Sequence, residues 1–340
     1  MYDPSGLYVD PILTGFSVGY QDQTLYGLGL APETPVSALS GRYRVFGRED
    51  WLIFPDTRAP GTVANEVVGR KWSEDTYKVA EHSLQSPIFD EEREVLASQG
   101  SLTADENAGD LDIEPERDAT ELITRSIMLK HEKLVADTYR NTANYAGNHT
   151  VTLSGTSRWD NYTFVTAGDP YSIVSNPVQD IKTAVMRVYL DTGRWPNTMV
   201  IPVDAIGVIE GHPRVIDRFK NFALTDPEAW KALLNVPAPE NFYIVDSKYN
   251  AAQNIDATEA ITPFWGQDVW IGLVDPQPGQ RTKTFGKTFA KPYPGGMKPT
   301  EKWREEPRKA DLVRTSYRYD VKIVSAAAGY IIKTAVNALT

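Results

Sequence analysis

The chain has no cysteine. Disulfide frameworks, thiolate metal sites, cysteine nucleophiles and thiol redox switches are therefore excluded. Histidine is nearly as scarce, with single residues at His82, His131, His149 and His212. These are too scattered to give a ligand spacing, and His131-Glu132 has no second histidine four residues on, so no metal or other cofactor is expected. No apolar run approaches the ~20 residues that cross a bilayer. The stretch from Met1 to Gly15 lacks the basic-then-apolar order of a secretory signal, so a soluble protein made in a cytoplasm is expected, without a membrane partner. Phosphate-binding patterns are also lacking. Gly286-Lys287-Thr288 looks like the end of a phosphate loop, but the upstream glycine would fall at Arg281 and the flanks read as strand. Gly27-Leu28-Gly29 has no third glycine in place and runs into Pro32. No nucleophile elbow is expected either.

What is present is apolar and acidic. Of 340 residues 41% are hydrophobic and 11% aromatic, which suffices for a sizeable core and excludes disorder of the whole chain. The net charge of −10 argues against a dedicated nucleic-acid binder. It is also unevenly spread. Between Glu74 and Glu121 stand 15 acidic and 3 basic residues, whereas from Arg281 onward stand 13 basic and 5 acidic. Carboxylate pairs such as Asp90/Glu91 and Glu305/Glu306 lie in charge runs and read as surface. With so many Trp and Tyr, they leave a monomeric carbohydrate-active hydrolase as an alternative of a different class. The aromatics among the late basic residues (Phe285, Phe289, Tyr293, Trp303, Tyr317, Tyr319) fall on strand positions and read as core rather than as a stacking platform.

Residues 1–65 are rich in Gly, Pro and Tyr, poor in helical periodicity, yet sticky, and read as an extended arm lying on its own domain or on a neighbour. From Arg70 to Asp90 a strand-like stretch carries charge on both faces, which predicts a projecting hairpin. Pro115 opens a long helix to about Ala143, with Ala119, Leu122, Ile123, Ile127, Leu134, Val135 and Tyr139 inward and Arg125, Lys130, Glu132, Lys133 and Arg140 outward. A second helix is predicted from Pro177 to Asp191, capped by Asn176 and closed by Gly193. A buried strand over 196–202 precedes helical turns at 203–209 and 213–220 and a short helix at 226–234. Strands are expected at 242–246, 269–274 and 284–289, then a loop from Lys291 to Lys309. The strongest alternation follows, with Val313, Thr315, Tyr317, Tyr319, Val321 and Ile323 on one face. Ala326 to Val336 should pack back on the body.

This order of parts resembles the major capsid protein of tailed bacteriophages, the Hong Kong 97 fold. Tyr77 to Leu84 followed by Ile88 to Arg93 resembles the return of that family's E-loop, and Glu116 to Ala143 its spine helix. Thr192 to Ile201 is similar to its helix-to-strand step, His212 to Lys220 to its peripheral helix, and Phe264 to Ile271 to a late A-domain strand. The resemblance implies an α+β chain divided into an arm (1–65), an E-loop (66–95), a P-domain (96–175, spine helix 115–143), an A-domain (176–290) and a P-domain return strand with C-terminus (291–340). It implies a structural protein without catalysis, building hexamers and pentamers of an icosahedral head around double-stranded DNA contacted non-specifically. The partners implied are copies of itself, a portal, decoration proteins and, because the chain begins with the arm, a separate scaffolding protein. Assembly in the host cytoplasm and residence in the virion follow. An encapsulin-type nanocompartment is the alternative within the fold. Candidate interface residues are Arg70, Lys71, Trp72, Lys78, Glu91, Glu92, Arg314 and Arg318, with acidic 74–121 meeting basic 281–322 between subunits. Some family members weld subunits through a Lys–Asn bond. Lys71 and Lys78 are the E-loop lysines here, but the closing region offers only Asn337 and no acid placed beside it, so no weld is expected.

Overall fold

The structure, a computed structural model, describes residues 9–19, 22, 24–46, 56–58, 61, 63, 72–95, 115–163, 173–216, 230, 234, 237, 239–252, 258–277 and 283–337. Its helices are α1 (Pro11–Gly19), α2 (Gly27–Leu30), α3 (Pro115–Arg140), α4 (Pro177–Thr192), α5 (Val203–Glu210) and α6 (Pro213–Ile216). Its first strands are β1 (Glu33–Pro35), β2 (Ser40–Phe46), β3 (Trp72–Lys78), β4 (Ala80–Phe89), β5 (Thr150–Thr152), β6 (Thr198–Pro202) and β7 (Asn241–Val245). Then come β8 (Lys248–Asn250), β9 (Ile261–Pro263), β10 (Val269–Gly272), β11 (Gly286–Ala290), β12 (Thr300–Glu305), β13 (Ala310–Ile323) and β14 (Gly329–Lys333).

The alternation read over 313–323 forms β13, whose Val313, Thr315, Tyr317, Tyr319 and Val321 are buried. β13 is the axis of the first sheet. Along one edge it pairs with β4, from Ala310↔Phe89 to Tyr319↔Ala80. Along the other, β12 pairs with its first half and β11 with its last residues, so β11 and β12 lie end to end with residues 291–299 as an excursion between them. β1 closes this sheet by pairing with β11 in parallel. The second sheet has the order β5-β14-β10-β6-β7. Its β6 and β10 are buried along their whole length, as strands covered on both faces must be.

The long helix is α3, and it lies on the first sheet. It buries Ile123, Ile127, Val135 and Tyr139 as its periodicity predicts, but Glu132 is 1% exposed and Leu122 is 63% exposed. The reason is that α3 is covered on two sides, by the sheet and by α2, which makes its inward face wider than a single stripe. α4 has the ends the sequence assigns: Asn176 Oδ1 accepts from the Gln179 N–H at 3.2 Å, and Gly193 closes the helix at φ 68°.

Several expectations change. Residues 11–19 are helical rather than extended: the Asp10 carboxylate accepts from the N–H groups of Ile12 (2.8 Å) and Leu13 (3.2 Å), and Pro11 supplies the first turn. The stretch from Arg70 to Asp90 is not one projecting hairpin. β3 pairs instead with β2, from Ser40↔Lys78 to Phe46↔Trp72, and β4 returns to β13. The first leg of the hairpin therefore comes from within 1–65. Charge on both faces of β4 fits an edge strand rather than a free loop. β12 lies inside the expected loop 291–309, and β14 inside the segment read only as packing back. The helix expected over 213–220 is described only to Ile216. That expected over 226–234 lies outside the described residues apart from Trp230 and Leu234, both buried.

Candidate assembly surfaces

The hairpin of β2 and β3 joins the body at a small aromatic root. The Tyr77 ring stacks on Phe289 with centroids 4.8 Å apart, and Tyr43 meets the same ring at 5.1 Å. The Tyr43 hydroxyl lies 3.0 Å from the Ile323 carbonyl and 2.8 Å from Asp75 Oδ2. Gly41 stands directly across from Tyr77, where a Cβ would come within 2.6 Å of the phenol oxygen. Beside this root is a cavity of about 410 Å³ lined by Thr34, Pro35, Val36, Arg42, Tyr43, Arg44, Tyr77, Lys287, Phe289 and Val324. Lys287 is 2% exposed, and burial lowers its pKa. The strand reading of Gly286-Lys287-Thr288 holds, since these residues belong to β11.

Of the candidate interface residues, Arg70 and Lys71 lie outside the described residues, and Trp72 is described only by its backbone pairing with Phe46. Lys78 is exposed, and its N–H donates to Asp320 Oδ2 at 2.8 Å. Glu91 and Glu92 are exposed on a helical turn over 90–95. Arg314 and Arg318 are engaged within the chain. Arg314 donates to Glu301 and lies 5.0 Å from the Trp303 ring centroid. Arg318 donates twice to Glu81 Oε2, at 3.0 and 2.8 Å, with its guanidinium 3.9 Å from the Tyr293 ring centroid.

The acidic and basic segments also meet inside one chain. Arg93 binds Glu116 at 2.8 Å and Asp311 at 2.7 Å, and Lys302 reaches Glu116 at 2.6 Å. Arg304 grips both oxygens of Asp90 at 2.6 Å, which holds that carboxyl below its ordinary pKa, and it also lies 3.4 Å from Asp311. This network joins the end of β4, the start of α3 and the β12–β13 turn. These acids and bases, expected to meet between subunits, are thus also paired within one chain.

Buried polar groups fix the arm and both sheets. The Glu132 carboxylate accepts from the Gly27 N–H and, at 3.4 Å, from Trp265 Nε1, so one side chain of α3 caps α2 from outside. Gly27 is required here, because a Cβ would stand 2.7 Å from Glu132 Oε2. That explains the first glycine of the Gly27-Leu28-Gly29 run. Burial outweighs these hydrogen bonds and raises the Glu132 pKa to about 7. Burial likewise lowers His131 to about 3, with its Nε2 3.0 Å from Thr288 Oγ1. His149 is fully buried between the Gly329 carbonyl (2.9 Å from Nδ1) and Asp191 Oδ2 (2.6 Å from Nε2). The ring thus ties α4, through Asp191, to β14, through Gly329.

Two arrangements look like nucleophile sites and are not. His212 Nε2 lies 3.1 Å from Ser175 Oγ, but His212 Nδ1 accepts from the Arg214 N–H and Ser175 donates to the Asn161 carbonyl. The imidazole proton then sits on Nε2, the reverse of a general base. Gly15-Phe16-Ser17-Val18-Gly19 does match the nucleophile-elbow spacing that sequence reading passed over. Ser17, however, lies within α1, 1% exposed, with its hydroxyl 2.6 Å from the Lys298 carbonyl. An acid also stands beside Asn337, contrary to expectation: Asp160 accepts from both its backbone and its side-chain N–H groups, across a separation of 177 residues that local sequence does not reveal. Outward on α1, Ile12 (70% exposed), Phe16 and Val18 face away from the β12 edge on which Thr14 and Ser17 are anchored.

No protein-family profile matches the chain. It is 28% identical over 330 residues to the major capsid protein of Burkholderia phage BcepMu, covering 95% of each chain. Its fold matches the crystal structure of a phage-related protein from Bordetella bronchiseptica with a TM-score of 0.70, at 24% identity, over 97% of this chain and 98% of that one. The capsid structure of cyanophage P-SCSP1u matches with a TM-score of 0.51 at 12% identity, covering 93% and 89% respectively. On the described residues no helix is long and apolar enough to cross a membrane, and no cluster of three metal-ligating residues occurs.

Proposed function

We infer that this chain is a major capsid protein of the Hong Kong 97 fold, a virion component whose copies associate into the shell of a bacteriophage head. The observation that carries this is the end-to-end likeness to a phage major capsid protein, with one fold spanning the same length. The role is structural. On this reading, β2 and β3 are the legs of the E-loop, α3 is the spine helix of a P-domain built on the first sheet, and the second sheet with α4, α5 and α6 is the A-domain. We extend the reading to hexamers and pentamers of an icosahedral shell around double-stranded DNA, without catalysis, assembled in a host cytoplasm with a separate scaffolding protein and a portal. The work of such a subunit is geometric: many weak contacts, repeated by symmetry, act together. Arg70, Lys71, Trp72, Lys78, Glu91 and Glu92 remain its proposed contact residues, whereas Arg314 and Arg318 brace the first sheet.

The test is co-expression of the chain with the neighbouring genes of its source, a scaffolding gene included, with sizing and electron microscopy of the product. Closed megadalton shells are the expected result, and a stable monomer overturns the reading. Extraction of particles made during infection then separates a DNA-filled head from a shell holding protein cargo.

A further inference from the structure

The first sheet has an open margin at β4. This strand pairs with β13 along one edge, and among the described residues nothing pairs with the other. The Asp90 N–H donates to the Lys309 carbonyl at 3.1 Å, which continues the β4–β13 register. In an antiparallel ladder such bonds fall on every second residue, so Glu81, Ser83, Gln85, Pro87 and Phe89 turn their backbone groups outward. Pro87 has no N–H and belongs to this outward set, where a proline breaks no ladder bond. One end of the open edge is bounded by Leu39, whose carbonyl accepts from the Val79 N–H. The other is bounded by the helical turn over 90–95. Gln85 is the midpoint.

The charges at the two ends say what completes the edge. Lys78 stands just before one end, and Glu91 and Glu92 stand just after the other. All three are exposed, and among the described residues none has an ion-pair partner. An edge that is basic at one end and acidic at the other is complementary to its own copy run antiparallel. We propose that β4 pairs with β4 of a second copy about a two-fold axis at Gln85, so that the first sheet continues from one subunit into the next. The pairing rests on the self-association inferred above. Its register sets Gln85 against Gln85 of the partner subunit, Ser83 against Pro87 of the partner subunit and Glu81 against Phe89 of the partner subunit. Lys78 of each copy then comes to the Glu91–Glu92 turn of the other, twice by symmetry.

The helices fit the same arrangement. α3 packs on both β13 and β4, so its axis lies over the gap between two strands roughly 5 Å apart. One further strand gap, with the axis at its centre, sets the two copies of α3 roughly 10 Å apart, the separation at which helices pack. Apolar side chains wait on that side. Leu84 is 46% exposed, although it lies on the α3 side of β4 with His82, which stacks on Tyr319, and the buried Ile88. Leu122 is exposed about two turns before Lys130, the residue of α3 whose charge reaches His82.

The absence of cysteine makes a direct test possible. Facing Cα atoms of a hydrogen-bonded antiparallel pair stand about 5.5 Å apart, within disulfide reach. Gln85→Cys gives a chain with one thiol, which can link only to another copy. Ser83→Cys, on the same exposed strand, is the control, because this register holds the two copies of residue 83 roughly 14 Å apart. Oxidised shells of Gln85→Cys should give a linked dimer on a non-reducing gel at least five-fold above Ser83→Cys. Shells in which Gln85→Cys links no better than Ser83→Cys overturn the pairing and leave the capsid reading intact. If the unmodified chain forms no shells, the capsid reading falls, and the same comparison on concentrated unassembled chain decides the pairing. Should either cysteine block assembly, charge reversal replaces it. Lys78→Glu alone, and Glu91→Lys/Glu92→Lys together, should each lower shell yield at least five-fold, and the variant carrying all three should recover to within two-fold of the unmodified chain. A combined variant no better than its parents overturns the pairing.

Discussion

Replacing Glu132 by Gln should make the subunit more stable at pH 8 and slightly less stable below pH 5. Glu132 is 1% exposed, and its carboxyl has a pKa of about 7 in the folded chain against 4.5 when unperturbed. An acid whose folded pKa is raised binds its proton more tightly in the native state. Stability is therefore full below pH 4.5, falls as the pH rises toward 7, and is constant above. The span corresponds to about 3 kcal/mol between the two plateaus. Gln has no proton to lose, so this dependence should vanish in the variant. The substitution also has a pH-independent cost: one amide oxygen can serve Gly27, but the amide NH₂ cannot accept from Trp265 Nε1, a bond that is long at 3.4 Å. Losing it costs about 1 kcal/mol. The expected balance is about 2 kcal/mol of stabilisation at pH 8 and about 1 kcal/mol of destabilisation at pH 4.5. Urea unfolding of unassembled chain, followed by tryptophan fluorescence from pH 4.5 to 8.5, measures both. Every other titrating group is common to the two proteins, so their difference isolates Glu132. Parallel curves across the range would refute the argument.

His149→Leu should destabilise the second sheet by about 2 kcal/mol in the same urea assay, because it strips the buried Asp191 side chain and the Gly329 carbonyl of their shared partner. Arg187, 3.3 Å from Asp191, limits the loss, and a cost below about 1 kcal/mol contradicts the buried pairing. Arg93→Ala removes the group bridging Glu116 and Asp311; at roughly one-third exposure it should cost only about 1 kcal/mol, and less at high salt. A salt-independent cost would indicate lost packing instead. Gly272→Ala puts a Cβ 2.7 Å from the Ala328 carbonyl oxygen and 2.4 Å from the Trp270 ring, and should destabilise by about 1–3 kcal/mol, read as a lower melting temperature.

Features set by local chemistry were legible from the sequence. The ends of α4 follow from Asn176, Pro177 and Gly193, and the faces of β13 follow from strict alternation. What was not legible depends on partners distant in sequence. Glu132 looks like a solvent-facing residue until α2 is laid over α3. The charges on β4 suggest a free loop until β13 is placed along it, and β12 has charges where a solitary strand would need apolar residues. The helix at 11–19 carried a local signal, Asp10-Pro11, which was outweighed by the surrounding glycines and prolines. The interface residues were legible only as types. Arg314 and Arg318 differ from an exposed arginine solely through Glu301, Trp303, Glu81 and Tyr293, and none of those contacts follows from periodicity.

The charge asymmetry is thereby divided into two parts with different consequences. The carboxylates of Glu81, Asp90 and Glu116 are bonded to arginines and a lysine of their own chain, across β4, α3 and β13. Those pairs are made when the subunit folds. The five acids from Asp105 to Glu114 stand outside that network in sequence, with no base among them. The salt sensitivity of folding should therefore follow Arg93, Lys302 and Arg304. Arg93→Ala and Arg304→Ala should each flatten the salt dependence of urea unfolding of the unassembled chain, and an unchanged slope would refute the role given to these pairs.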